Sequence, residues 1–158
     1  MTDFNILRKR YSEVLCGRGH SGKRTADCIL RSDERTEQRL AQLDTRIEKA
    51  ITSNEPGIVN ATLKGILDIS TSFSQNNSRF YHDENIKNKI FNALNALEKV
   101  YNDTIAPQGN WWYWEIGIPL SLNSIFTLMY DYADKSQLKR YMACLLYTSD
   151  AADEARSV

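Results

Sequence analysis

Apolar residues recur along the chain at intervals of three and four, the spacing that puts them on one face of a helix. Phe4, Leu7, Tyr11, Val14 and Leu15 share such a face and predict a helix from Asp3 to Leu15, with Thr2 or Asp3 as its cap. Gly17, Gly19 and Gly22 end it. Ser32 is the expected cap of a second helix, whose stripe is Leu40, Leu43, Ile47 and Ile51, reaching about Thr52. The "SNEPG" break follows, because Pro56 and Gly57 disfavour continuation. A third helix carries Val59, Leu63, Ile66, Leu67, Ile69 and Phe73 inward. After the polar loop "SQNNSRFYHDEN", Asp83 or Asn85 caps a fourth, with Ile86, Ile90, Phe91, Leu94, Leu97 and Tyr101 as its stripe. A fifth is expected to start at Pro119, which suits a first helical turn, and to reach about Tyr132. Leu122, Ile125, Phe126 and Met129 line one side of it, and a sixth opens over Ser136–Ala143. No convincing strand and no short fixed-period repeat emerges. The fold class is all-α, built of helical hairpins whose ligand contacts belong on loops and helix starts at one end.

Composition narrows the function. The 158 residues suffice for one domain with a modest core. Lys plus Arg balances Asp plus Glu, so no global field draws the chain to nucleic acid. No apolar run reaches the roughly 18 residues of a membrane span. The start "MTDFNILRKRYSEVL" lacks the apolar core of a signal peptide, so either the chain stays inside the cell or an export signal lay upstream. Cys16, Cys28 and Cys144 are an odd number at irregular spacing and make no disulfide framework. Cys16, His20 and Cys28 fit no zinc pattern, so no metal and no cofactor is expected. "CGRGHSGKRTADC" is basic and glycine-rich, but no strand precedes it and the phosphate-loop spacing is absent; it reads as a connector.

The end of the chain is read apart from the rest. "CLLYTSDAADE", Cys144 to Glu154, resembles the in-frame translation of a transposon-library sequencing adapter. Residues 144–158 are therefore expected to be non-native, with the native sequence running over 1–143 and continuing beyond it in a larger parent.

The densest chemical signal is "GNWWYWEIGIP", Gly109 to Pro119, which holds all three tryptophans at Trp111, Trp112 and Trp114. Indole faces are electron-rich and suit the C–H faces of a sugar ring. The Asn110 amide can hydrogen-bond sugar hydroxyls or a carboxylate. Trp111 and Trp112 are adjacent and cannot share one helical face, which leaves ring area for a ligand. Against this stands the ordinary use of such rings as core.

"GNWWYWEIGIPLSLNSIFTLMYDY", Gly109 to Tyr132, resembles the signature segment of polysaccharide lyase family 8, which includes hyaluronate, chondroitin AC and xanthan lyases. "DFNILRKRYSEVLCG", Asp3 to Gly17, is similar to that family's opening helix, and the spacing between the two segments fits. Two positions depart from the pattern: Tyr113 stands where an acidic residue is usual, and Tyr11 where tryptophan is common.

The resemblance implies an incomplete α/α toroid, of which this chain would be the first part. It implies a secreted, monomeric parent enzyme, a carbon–oxygen lyase that cleaves a uronate-containing polysaccharide by β-elimination, with hyaluronan or chondroitin foremost. In such enzymes an Asn neutralises the uronate carboxylate, and a Tyr helped by a His moves the proton. Those residues lie further along the toroid, so no catalytic residue is carried onto this chain, and the fragment is expected to be inactive. Tyr81, His82 and Asn85, like His20, precede the tryptophan segment in the wrong order. What does map is the family's aromatic patch, onto Asn110, Trp111 and Trp112 as substrate-binding residues. Trp114, Glu115 and Ile116 are expected to fix the segment to the helix behind it. The alternatives are a non-catalytic sugar-binding module and a generic helical interaction module.

Overall fold

The structure, a computed structural model, describes residues 3–17 and 26–143. Its helices are α1 (Asp3–Leu15), α2 (Ala26–Ala41), α3 (Leu43–Ser53), α4 (Pro56–Ser74), α5 (Glu84–Leu97) and α6 (Ile118–Met129). A π-helical turn, Tyr113–Gly117, leads directly into α6, and a last helical segment covers residues 135–143. There is no strand among the described residues.

The core sits between α4 and α6. Val59, Leu63, Ile66, Ile69 and Phe73 of α4 face Ile118, Leu122, Ile125 and Met129 of α6, and all are buried. Each such side chain contributes about 1.5–3 kcal/mol by leaving water. The two helices run parallel: Asn60 meets Gly117 and Ser121 near their starts, and Phe73 meets Tyr132 just past their ends. The remaining helices run the other way. The α2 pairing with α4 is fixed by Thr36 Oγ1 against Ser72 Oγ at 2.8 Å and by Arg39 Nε donating to Asp68 at 3.0 Å. The Tyr11 hydroxyl lies 3.0 Å from Ser124 Oγ, and Arg8 makes a two-pronged ion pair with Asp131 at 3.1 Å, which lays α1 antiparallel to α6.

Local chemistry places the turns. Asn54 takes a left-handed φ of 51° after α3, and Pro56 occupies the first turn of α4, where a missing N–H costs nothing. Asp83 caps α5 by accepting from the N–H groups of Asn85 and Ile86.

Three expectations are corrected. The second helix begins at Ala26, not at Ser32, whose hydroxyl lies inside α2 and meets Ser72 Oγ at 3.2 Å. It also divides at Gln42, so Leu40 belongs to α2 while Leu43, Ile47 and Ile51 belong to α3. The shared apolar face of α1 forms as expected, although Phe4, Leu7 and Val14 on it are exposed, and Leu7 keeps 65% of its surface. Phe4 and Leu7 instead form one wall of an open groove of about 450 Å³, against Phe126, Tyr130, Leu138 and Met142. Finally, the helical stretch expected from Pro119 already starts at residue 111. Pro119 cannot donate to a carbonyl one turn back and would crowd it in a regular helix. The wider π turn just ahead of it, closed by Ile118 N–H on the Tyr113 carbonyl, accommodates that defect. Gly19, Gly22, His20 and residues 144–158 lie outside the described residues, as does Thr2.

Candidate functional site

The tryptophan segment forms the first turns of the helical stretch, at the end of the fold where α4 also starts. Gly109 brings the chain in at a φ of 62°, and a Cβ there would lie 3.2 Å from Pro56 Cδ. Both the left-handed conformation and the close approach demand glycine. Gln108 is held beside it by Asn54, whose amide donates to Gln108 Oε1 at 3.0 Å.

Asn110 starts the helix. Its side-chain Oδ1 accepts from the Trp112 N–H at 2.9 Å, and its carbonyl accepts from Tyr113 N–H at 3.1 Å. The amide oxygen is thus engaged by the backbone, and the exposed side chain keeps its NH₂ as the outward group. This capping role was not foreseen from the sequence, although Asn is among the preferred residues at that position.

The three indoles divide cleanly. Trp111 keeps 62% of its surface exposed and Trp112 42%, whereas Trp114 keeps 3%. Trp114 packs at 4.9 Å from the Tyr101 ring, and the Tyr101 hydroxyl donates to the Trp114 carbonyl at 3.3 Å. Trp112 meets Tyr113 edge to face at 5.3 Å. The Tyr113 ring in turn covers Gly57, where a Cβ would sit 3.4 Å from it. Beneath Trp112 lies Gly117, whose absent side chain gives room to the indole and to buried Asn60. Ser121 Oγ shares its one proton between the Gly117 carbonyl at 2.9 Å and Asn60 Oδ1 at 3.3 Å, which holds Asn60 there. Asn60, Gly57 and Gly117 support the exposed rings; of these the sequence marked only Gly57, and as a helix break rather than a support. The only available signal was a pair of glycines at loop–helix and π-turn positions.

Tyr81 and His82 lie at the opposite end, past the end of α4. His82 has a left-handed φ of 53°, stacks on Tyr81 at 3.9 Å, and places Nε2 3.0 Å from the Tyr132 hydroxyl. Burial raises the Tyr132 pKa, and the nearby Tyr81 and Asp131 push in the same direction. Asn85 is in the first turn of α5, and its backbone N–H is taken by the Asp83 cap. None of these groups meets Asn110, Trp111 or Trp112. No cluster of His, Cys, Asp and Glu able to hold a metal occurs among the described residues. No helix among them is long and apolar enough to cross a membrane.

Residues 27–156 match the family model for the N-terminal α-helical domain of polysaccharide lyase family 8. The chain is 28% identical over 156 residues to a xanthan lyase of Bacillus sp. (strain GL1), covering 92% of this chain and 17% of that protein. It is 24% identical over 155 residues to a hyaluronate lyase of Thermasporomyces composti, covering 89% of this chain and 19% of that one. Its fold is similar to that of a Streptomyces coelicolor chondroitin AC lyase solved in complex with chondroitin sulphate. That match has a TM-score of 0.71 at 18% identity, over 92% of this chain and 20% of the other. The chain spans about a fifth of the length of the relatives it matches, and its helical hairpins have the α/α-toroid fold of these lyases.

Proposed function

Because the chain belongs to polysaccharide lyase family 8 through its N-terminal α-helical domain, we propose that it supplies the substrate-holding end of an enzyme that cleaves an acidic, uronate-containing polysaccharide. The reaction is β-elimination: the C5 proton leaves beside the uronate carboxylate, the C4–O bond breaks, and a C4–C5 double bond forms. Trp111 and Trp112 stack on sugar rings, and the outward NH₂ of Asn110 donates to a hydroxyl or carboxylate. The groups that move the proton belong to the rest of the parent enzyme, and this chain alone is inactive. The parent acts outside the cell. Hyaluronan and chondroitin are the first candidates for the polymer, and the similarity to a xanthan lyase adds xanthan.

The observation that carries this reading is the division of the three indoles. Two large indole rings stay largely in water at the start of the helical stretch, with Ile116 and Leu120 exposed on the turns behind them, while the third indole is buried. Isolated exposed apolar residues are common, but adjacent half-bare indoles on a rigid base suit a stacking platform. The test is titration of tryptophan fluorescence with hyaluronan, chondroitin sulphate and xanthan fragments. A saturable change that is lost in Trp111→Ala and Trp112→Ala is expected. An unchanged spectrum with all three polymers would overturn the reading.

A further inference from the structure

A second feature lies beside the platform. Between α3 and α4 runs an open groove of about 450 Å³, within the usual range for a small-ligand site. Its α3 wall presents Gln42, Thr45, Arg46 and Lys49, which fall on one face by their spacing of three and four. Its α4 wall is formed by Gly57, Ile58, Ala61 and Thr62. No acidic residue lines the groove. Among the described residues neither Arg46 nor Lys49 is paired with a carboxylate. Two N–H groups of Arg46 donate to Gln42 Oε1 at 3.1 and 3.2 Å, which fixes the guanidinium along the wall and leaves its other N–H groups for an anion. The groove between α3 and α5 is different: Asp44 and Glu48 face Lys89 there, and an anion would be repelled.

The groove joins the platform through direct contacts. Gly57 lines the groove and lies under the Tyr113 ring, which meets Trp112 edge to face. A polymer stacked on Trp111 and Trp112 therefore has a continuous path over Tyr113 and Gly57 to Arg46 and Lys49. We infer that the α3–α4 groove is an outlying subsite for the acidic polysaccharide, in which Arg46 and Lys49 bind the carboxylate or sulphate of a sugar beyond those held by the tryptophans. This rests on the platform reading, since the platform sets the direction of the chain. Arg46 fits a planar carboxylate with two parallel N–H donors, and Lys49 supplies a mobile point charge for either anion.

The experiment compares wild type, R46A/K49A and W111A/W112A by titration calorimetry at several salt concentrations. The probes are hyaluronan fragments, which carry only carboxylates, and chondroitin sulphate fragments, each as tetrasaccharides and as much longer pieces. The double alanine variant should melt close to the wild type, because alanine favours the helix and the lost contacts, an exposed Lys49 and a half-buried Arg46 bonded to Gln42, are worth little. It should lose about three- to tenfold in affinity for the long fragments, as expected for two partly exposed charge contacts. It should lose little for the tetrasaccharides, and its salt dependence should be flatter. A loss with both polymers assigns the carboxylate, and a loss with chondroitin sulphate alone assigns the sulphate. Equal affinity and equal salt dependence at every length would overturn the subsite and leave the platform standing. Full binding by W111A/W112A with a loss in R46A/K49A would overturn the platform reading and, with it, the placing of the groove as a subsite beyond the tryptophans. No binding by the wild type would overturn both.

Discussion

A Cβ placed on Gly117 would lie 3.1 Å from Cζ3 of Trp112 and 3.1 Å from Oδ1 of Asn60. The platform indole therefore rests on a bare stretch of backbone, with a hydrogen-bonded Asn beside it. Asn60 is buried and held by Ser121, whereas Trp112 is partly in water and free to tilt. In Gly117→Ala the indole should give way. The helix gains about 0.5–1 kcal/mol from replacing glycine, which offsets most of the contact strain. Stability should stay within about 1 kcal/mol of wild type, while the Trp112 emission shifts and oligosaccharide affinity falls. A variant with unaltered fluorescence and unaltered binding would show that Gly117 does not set the ring's pose.

Asn110 has two separable jobs. As a cap it accepts from Trp112 N–H, and Asn110→Ala should cost about 1 kcal/mol in a denaturant melt. Asn110→Asp keeps the acceptor and should keep the stability. It removes the outward donor and adds a negative charge, so it should still weaken binding of an acidic oligosaccharide. If Asp restores both stability and binding, Asn110 is a cap only.

The three tryptophans should separate by experiment as they do by burial. Trp114→Ala empties a buried site against Tyr101 and should cost about 3–5 kcal/mol, enough to unfold much of the chain. Trp111→Ala should change stability by about 0.5 kcal/mol and Trp112→Ala, which also loses its packing on Gly117 and Tyr113, by about 1–2 kcal/mol, yet each should cost about 1–3 kcal/mol of sugar binding. Equal loss of stability in all three variants would contradict the division of roles.

At the far end, the half-covered Tyr132 hydroxyl gives a pH dependence of definite sign. Burial raises the Tyr132 pKa, so in the interval above about pH 10 the folded chain holds a proton that the unfolded chain has released. The stabilisation is complete below that pH and is lost as pH rises through the raised value. Part of the phenolate absorbance at 295 nm should appear late, and Tyr132→Phe should diminish that late part. It should also flatten the fall in stability above about pH 10. A wild-type titration in which all tyrosines ionise together would refute this.

The open groove formed by α1, α6 and residues 135–143 exposes Phe4, Leu7 and Met142. An apolar surface of this kind favours self-association. The chain should elute as concentration-dependent oligomers in light-scattering chromatography and melt broadly. Leu7→Lys, at an outward position of α1, should shift it toward monomer. A monomeric wild type with a sharp melt at high temperature would contradict the expectation.

The helical class and most of the core were readable from the sequence because they follow from periodicity. Val59, Leu63, Ile66 and Phe73 recur on one face of α4, and all of them are buried. The start of α5 was readable because the Asp83 cap is a local interaction between near neighbours. The start of α2 was not, since Ser32 has the chemistry of a cap but finds its partner 40 residues away in Ser72. The α1 stripe was read correctly as a shared face, but a stripe does not say whether anything covers it.

The tryptophan segment shows where the two kinds of information divide. The order of its residues determined that three indoles and an amide fall just ahead of a proline on a helical stretch, and that the chain resembles a family of polysaccharide lyases. The tertiary structure decided which ring is core and which rings meet water. Trp114 turns inward because the π turn ahead of Pro119 rotates it against Tyr101, while Gly57 and Gly117 leave room for Tyr113 and Trp112 to lie on the surface. It also placed Arg46 and Lys49 near Gly57, across the turn between α3 and α4. Side-chain type is local, but exposure and adjacency depend on how helices distant in sequence pack together.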